Sequence, residues 1–398
     1  MTIKTLILGA AAGTLAVAGA QAADLPVAPE PVDYVRVCDA YGSGFFYIPG
    51  TETCLRVGGG MRVEYRFNDF ADDVNTNWGT RGGDATSTRA RAYVRFDSRT
   101  NTEYGLLRTY VDLWFTGNST GTANNPTVTL WNGFIQFGGF TFGRAESFFD
   151  FYTGDAWGIM QQGFSDHRTN LFAYTYGFGN GVSATLSVED ATFVRNGIAN
   201  VARNSSALYG GHKMPDLVAN LRVDQGWGSA QLMGAVHQVW GGNALQDSAV
   251  GWAIGAGVTF NAPMLAAGDT ISFQGTYSDG AVRYVHESAA IWDAAETVAG
   301  TSMETTTGWG IGAGLTHHWT PMLSSALTAT YVSFDNDRGA LPDIEVDQLG
   351  IQGNLVWSPV KGFLMGVELE YESTEQEIGG VSTDDDDLMA IFRVQRTF

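Results

Sequence analysis

The sequence predicts an all-β fold: a transmembrane antiparallel β-barrel of 16 strands with an inward-folded third extracellular loop. Three observations predict it. Apolar and polar residues alternate with a period of two in segment after segment. The connections between these segments alternate between short and long. After the first 22 residues, no stretch reaches the roughly 18–20 apolar residues of a membrane-spanning helix.

The chain opens with Lys4, an apolar run and the small-residue site Ala20-Gln21-Ala22. This pattern reads as a secretory signal peptide over residues 1–22, cut before Ala23. Residues 23–52 follow as a periplasmic N-terminal segment, and the barrel occupies 53–398. Two cysteines remain after export, Cys38 and Cys54. An even pair in an exported chain suggests a disulfide, with two reduced thiols as the alternative. Closing that loop would stabilise the fold by roughly 3 kcal/mol in the chain-entropy account.

The alternation is clearest in MRVEYRF. Met61, Val63, Tyr65 and Phe67 share one face, and Arg62, Glu64 and Arg66 the other. It recurs in RARAYVRFD (89–97), GLLRTYVDLWF (105–115), TISFQGTYS (270–278), LGIQGNLVW (349–357) and FLMGVELEY (363–371). Sixteen such strands are centred near residues 60, 93, 109, 133, 142, 174, 186, 220, 234, 255, 274, 313, 330, 352, 367 and 392. Long connections fall at 68–88, 116–127, 145–169, 191–215, 279–306 and 373–386, with moderate ones at 241–249 and 335–345. Short turns fall between them. Short turns at one rim and long loops at the other are the rhythm of an outer-membrane barrel, and an even strand number leaves both termini on the short-turn, periplasmic side. The last strand ends LMAIFRVQRTF, with Leu388, Ala390, Phe392, Val394 and Phe398 on one face and Arg396 as an exception at the rim.

An open sheet would leave two edges that lipid cannot hydrate, so closure is required. Sixteen strands ~4.8 Å apart and tilted ~40° give a backbone diameter of about 32 Å, too wide for side chains to fill. The lumen therefore holds water, with lipid or a subunit neighbour outside.

The chain carries 22 basic and 42 acidic residues, net −20, which argues against nucleic acid as a partner. Lys4, Lys213 and Lys361 are its only lysines, so nearly all positive charge is arginine. Arg56, Arg62, Arg66, Arg89, Arg91, Arg95 and Arg108 fall on the lumen face of the first three strands. The nearest source of opposite charge is the third long connection, Glu146 to Asn170, with Glu146, Asp150, Asp155 and Asp166 and the aromatics Phe148, Phe149, Phe151, Tyr152 and Trp157. Folded into the lumen, it would narrow the passage and set its acids against the arginine wall. The resulting transverse field would favour small polar solutes over large or apolar ones. Arginine suits such a wall because it stays charged and its planar fork holds its geometry. The alternative is that the arginines pair with neighbouring carboxylates and only stabilise the barrel. Overall acidity points to a weak preference for cations, and the arginines point the other way; the balance leans to cations.

Other signals are weaker. Asp384 to Asp387 lie in the last long loop, as a solvated charge run or a site for Ca²⁺ or Mg²⁺ beside anionic lipid. His317 and His318 are adjacent on a strand, so they point to opposite faces and hold no metal together. No metal site, no cofactor site and no nucleophile motif stands out, so the reading is not that of an enzyme. In GWAIGAGVTF and GWGIGAGLTHH the inner positions Gly251, Gly255, Gly257, Gly308, Gly310, Gly312 and Gly314 leave the wall thin, for curvature or for close approach of the inner loop.

Two segments carry a resemblance. YVRVCDAYGSGFFYIPGTETCLRV (34–57) resembles the start of the alphaproteobacterial general porins, and WNGFIQFGGFTFGRAESFFDFYTGD (131–155) resembles their fourth and fifth strands leading into the constriction loop. The IFRVQRTF end is similar too. The resemblance implies a homotrimer in the outer membrane, among lipid and lipopolysaccharide, passing ions and small hydrophilic solutes by passive diffusion. It implies that Cys38 and Cys54 are the family's disulfide and that 146–170 is its constriction loop. A substrate-selective channel, or a closed barrel acting through its surface loops, is the other reading of the same fold.

Overall fold

The computed structural model describes residues 36–70, 78–119, 126–158, 160, 162–202, 208–287 and 291–398. The expected signal peptide, residues 1–22, lies outside them, as do residues 23–35.

Sixteen strands form the wall: β1 (Cys54–Phe67), β2 (Thr86–Thr102), β3 (Gly105–Asn118), β4 (Thr127–Phe137), β5 (Phe140–Glu146), β6 (Arg168–Gly179), β7 (Val182–Glu189) and β8 (Asp216–Gln225). The second half comprises β9 (Gly228–Trp240), β10 (Ser248–Asn261), β11 (Thr270–Asp279), β12 (Thr307–Thr320), β13 (Leu323–Asn336), β14 (Ile344–Val360), β15 (Phe363–Ile378) and β16 (Val381–Thr397). Every sequence-predicted strand centre falls inside one of them. Each strand pairs antiparallel with the next. The wall closes where β16 pairs with β1, from Gly60↔Thr397 to Phe67↔Ala390. At that seam the Phe398 amide donates to the Gly59 carbonyl at 3.0 Å, and the Gly59 amide to the Phe398 carbonyl at 3.1 Å. No edge is left for lipid to strip of its hydrogen bonds.

Period two sorts the side chains. On β1, Met61, Val63, Tyr65 and Phe67 are exposed on the outer surface, while Glu64 is 1 % exposed on the lumen side. Two belts of aromatics bound the apolar band. Trp252 packs on Tyr277 and Trp309 on Tyr331 along one belt; Trp227 packs on Phe260 in the other, with Trp319 and Trp357. From Trp309 to Trp319 a tilted strand rises about 26 Å, close to the ~25 Å band of an outer-membrane barrel.

The short-turn rim carries the Cys38–Cys54 disulfide, Cα–Cα 6.0 Å, buried with Phe45 beneath Tyr41 and Tyr47. It ties the segment before β1 to the mouth of the barrel. At this rim His317 and His318, adjacent on β12, meet one carboxylate of the turn between β10 and β11. Both reach Asp269: His317 Nδ1 at 2.6 Å, and His318 through its backbone amide at 2.8 Å and Nδ1 at 3.2 Å. Both histidines pair in regular register, His317 with Ser325 and His318 with Ser324, and the ladder shifts only beyond them, between His318 and Thr320.

The long-loop rim differs from expectation in two places. The connection at 373–386 is not a loop. β15 and β16 run on past the apolar band and meet at Gly379 and Gly380, both with positive φ (57° and 83°), as a two-residue type I′ turn requires. Asp384 to Asp387 therefore sit in β16, with Glu375 opposite Asp384 and Tyr371 donating to Asp386 at 2.9 Å. Loops 190–215 and 280–306 carry short strands, and Ile198–Ala199 pairs in parallel with Ala294–Val298, itself paired with Ser302–Thr305. The second of these loops also turns into the lumen: Val282, Tyr284 and Val285 are at most 1 % exposed.

An arginine facing hydrocarbon near the middle of the wall should cost about 2–4 kcal/mol and one near the interface about 0–1 kcal/mol. Leu327→Arg on β13 should thus lower the urea midpoint of the folded barrel in vesicles substantially. Glu345→Arg, beyond the aromatic belt and opposite Asp335 and Glu377, should leave it unchanged or raise it.

Candidate functional site: the inner loop and the arginine wall

The loop between β5 and β6 spans residues 147–167 and lies within the lumen. Glu146 and residues 168–170, expected in the loop, belong to the flanking strands. The loop crosses the inner faces of β8 to β15 and is hydrogen-bonded to β8, β9, β11, β12, β13 and β15. Asn220 Nδ2 donates to the Phe148 carbonyl at 2.7 Å. The Tyr152 amide donates to Gln274 Oε1 at 3.0 Å. Thr328 Oγ1 accepts from the Asp155 amide at 2.9 Å and the Ala156 amide at 3.0 Å. Glu368 accepts from the Trp157 and Gly158 amides at 2.7 and 3.0 Å, and Glu370 from the Met160 amide at 2.7 Å. An irregular backbone buried in a barrel needs such acceptors, because each orphaned amide costs about 1–3 kcal/mol.

Glycines make room for it. A Cβ on Gly257 would strike the Phe151 ring, one on Gly314 would strike Tyr152 and Asp155, and one on Gly366 would meet the Trp157 ring at 3.1 Å. The close-approach reading of the glycine-rich strands is the one the structure bears out. Phe149 and Tyr284 pack with tilted rings, centroids 4.7 Å apart, within an apolar cluster with Val218, Met233 and Ala253, so the inward part of 280–306 holds the loop from above. The sequence reading missed that second inward loop; the apolar run in AVRYV was its signal.

The loop acids do not meet the seven arginines. Glu146 and Asp166 pair with Arg168 at 3.8 and 3.0 Å. Asp155 accepts from Thr316 at 3.1 Å. Asp150 is sealed at the loop base, accepting from Ser165 Oγ at 2.5 Å and the His167 amide at 2.8 Å. Burial raises the Asp150 carboxyl well above its usual range. Carboxylate oxygens of Glu146, Asp150 and Asp166 converge within 4.8 Å, a spacing that could hold a cation, but Arg168 already supplies positive charge to two of them.

The arginines find their counter-charge on their own wall. Glu64 forms ion pairs with Arg62 at 3.1 Å, Arg66 at 2.5 Å and Arg393 at 2.7 Å, with Arg89 at 3.8 Å. Asp97 holds Arg108 at 3.0 Å and Arg99 at 2.8 Å, and Asp112 holds Arg95 at 2.9 Å. Arg91 stacks on Trp114 at 4.3 Å and donates to Thr116 at 2.9 Å. Arg56 lies at the mouth, 5.1 Å from the Phe45 ring. Arg393 and Arg99 were missed by sequence reasoning, although both share the lumen parity of their strands. Arg393 also joins loop to wall: its guanidinium lies 4.2 Å from the Trp157 ring while it holds Glu64. A bulge between Asp112 and Leu113 turns Trp131 inward, where it stacks on Trp114 at 3.7 Å with Arg168 over its other face at 4.0 Å.

A closed barrel of outer-membrane type, with a charged wall facing an inner loop, is the architecture of a channel-forming protein. The chain matches the porin subfamily over residues 24–390, and it belongs to that family. It is 39 % identical over 249 residues to porin Omp2b of Brucella suis and 40 % over 243 residues to that of Brucella canis. Each match covers 58 % of this chain and 64 % of the relative, so the aligned region spans under two thirds of their length. The outer membrane channel DcaP of Acinetobacter baumannii superposes with a TM-score of 0.70 at 18 % identity, covering 88 % of this chain and 99 % of that one. The trimer form of OmpT of Vibrio cholerae gives 0.54 at 10 % identity, over 87 % and 100 % of the two chains. At these identities the superpositions establish the fold alone.

Thr328→Val removes the acceptor of two loop amides. Hydrogen exchange should quicken at residues 152–157 with the β13 ladder unchanged; equal protection in the variant would show that Thr328 does not hold the loop. A second expectation concerns pH. Burial, with Arg283 and Arg168 nearby, holds the His167 imidazole down to about 3 from an ordinary 6.5. The undocked loop binds that proton more tightly, so His167 weakens docking as pH falls from about 6.5 to about 3 and has no pH-dependent effect above that window. Asp150 acts with the opposite sign, since its raised carboxyl keeps its proton better when folded. His167→Asn should therefore flatten the acid-side loss of loop protection.

Proposed function

We propose that the protein is a passive diffusion channel of the outer membrane, carrying ions and small hydrophilic solutes through a lumen narrowed by loop 147–167. One observation carries the reading: the loop is fastened along β8 to β15, leaving the arc from β16 through β1 to β4 as the other bank of an open passage. The arginine wall occupies that bank. Family membership supports the reading, and the name porin borne by the Brucella relatives agrees with it. The disulfide-tied segment 36–53 and Phe398 share the short-turn rim, which supports periplasmic termini.

The working unit in this proposal is a homotrimer. Strand β5 has 7 residues and β7 has 8, whereas β14 and β16 have 17. Seven tilted residues rise about 18 Å, short of a ~25 Å hydrocarbon band. A neighbouring copy against this low sector would shield what the wall leaves uncovered, while lipid and lipopolysaccharide surround the tall side.

Liposome swelling with sugars of rising size tests the function. A smooth decline of rate with size is expected; one favoured sugar would make the channel selective, and no swelling would reject it. Deleting residues 148–165 should raise single-channel conductance in a planar bilayer. Unchanged conductance would rule out the loop as the constriction.

A further inference from the structure

We propose that the arc formed by β16, β1 and β2 is a binding strip for small solutes bearing an oxyanion, carboxylate or phosphate, and that it makes the passage favour anions despite the acidity of the chain. The proposal rests on the channel reading and names the solute class of that channel.

The register sets out the strip. Across β16, β1 and β2 one row is Arg393, Glu64, Arg89, and the next is Gln395, Arg62, Arg91. Five guanidiniums, counting Arg66, thus gather around one carboxylate. Arg62 and Arg91 are directly opposite each other, a like-charge pairing that destabilises a sheet. Arg91 makes no ion pair among the described residues. The Trp114 ring and the Thr116 hydroxyl hold it, and both are neutral, so its charge stays available.

Exposure decides which charge a solute meets. The Glu64 side chain is fully covered, while Arg62 and Arg89 keep 18 % and 22 % of theirs exposed. Asp97 and Asp112 are equally sealed beneath Arg99, Arg108 and Arg95. Glu368 and Glu370, which would face the passage from β15, are covered by the loop amides they accept from. This arc therefore presents guanidinium edges, with their carboxylates behind them, while the acids left exposed, Glu146 and Asp166 at 49 % and 28 % of their side chains, sit beside Arg168 at the base of the loop. Planar forks of N–H donors fixed in this way match the geometry of carboxylate and phosphate.

The test uses the full-length protein in planar bilayers. In a KCl gradient the zero-current potential should lie on the chloride side. Inorganic phosphate or succinate added to one chamber should reduce the single-channel current reversibly. Arg62→Gln with Arg91→Gln should weaken that block about tenfold or more, the usual loss when charge-assisted bonds are removed, and move the zero-current potential toward potassium. Glu345→Gln, on the outer surface, should change neither. A wild-type channel that favours potassium, or one whose current phosphate and succinate leave unaltered, overturns the proposal without touching the channel reading. A protein that conducts nothing overturns both. Because the wild-type measurements stand alone, a variant that fails to fold does not rescue the idea.

Discussion

Everything in this molecule follows from the absence of water in the hydrocarbon layer. A backbone amide or carbonyl facing lipid has no partner but another strand, so the sheet must close on itself. The β16–β1 seam achieves this with residues at the two ends of the wall, 60–67 and 390–397. Closure fixes the period of two, and the period fixes which side chains meet lipid and which meet the lumen. It also fixes a width that side chains cannot fill. The interior must be water, or chain that has somewhere to put its own hydrogen bonds.

The two inward loops answer that second requirement on one side only. Loop 147–167 is hydrogen-bonded by hydroxyls, amides and carboxylates on six strands of the far wall, and the inner faces there carry glycine where rings come close. Loop 280–306 adds an apolar cluster of Val282, Val285, Val332 and Phe334 above it. The near wall, β16 to β4, keeps its polar side chains facing open space. The asymmetry of the lumen is thus written into strand composition: glycine and threonine where chain docks, arginine and tryptophan where it does not.

The alternation was enough to read the strands, since it records a solvent difference between the two faces that operates on every residue. The same parity places Arg393 in the lumen between Phe392 and Val394 of the last strand, and would have placed Arg99 there had β2 been extended past Asp97. What parity does not carry is partner choice. Seven arginines and four loop acids suggest an attraction, but Glu64, Asp97 and Asp112 are two to four ångströms from the guanidiniums, and proximity wins. Nor does polarity separate a loop from a strand above the membrane. Residues 373–386 carry polar and charged side chains on both faces, and the paired glycines at 379 and 380 are what reveal a hairpin.

The net charge of −20 invites a conclusion about the passage that its placement does not support. Asp335, Glu345, Asp347, Glu375, Glu377, Asp384 and Asp386 share the outward parity of β13 to β16, opposing one another across strands above the aromatic belt. They face the membrane surface. The barrel radius of about 16 Å exceeds the screening length of ~8 Å in physiological salt, so their field is largely spent before the lumen axis. Charges that line the passage act at a few ångströms, in the low-dielectric setting of a wall and a docked loop, and along the arc of β1 to β3 the exposed groups are guanidiniums. A sum over the chain and the potential along its axis are therefore separate quantities, and the wall of the barrel is what separates them.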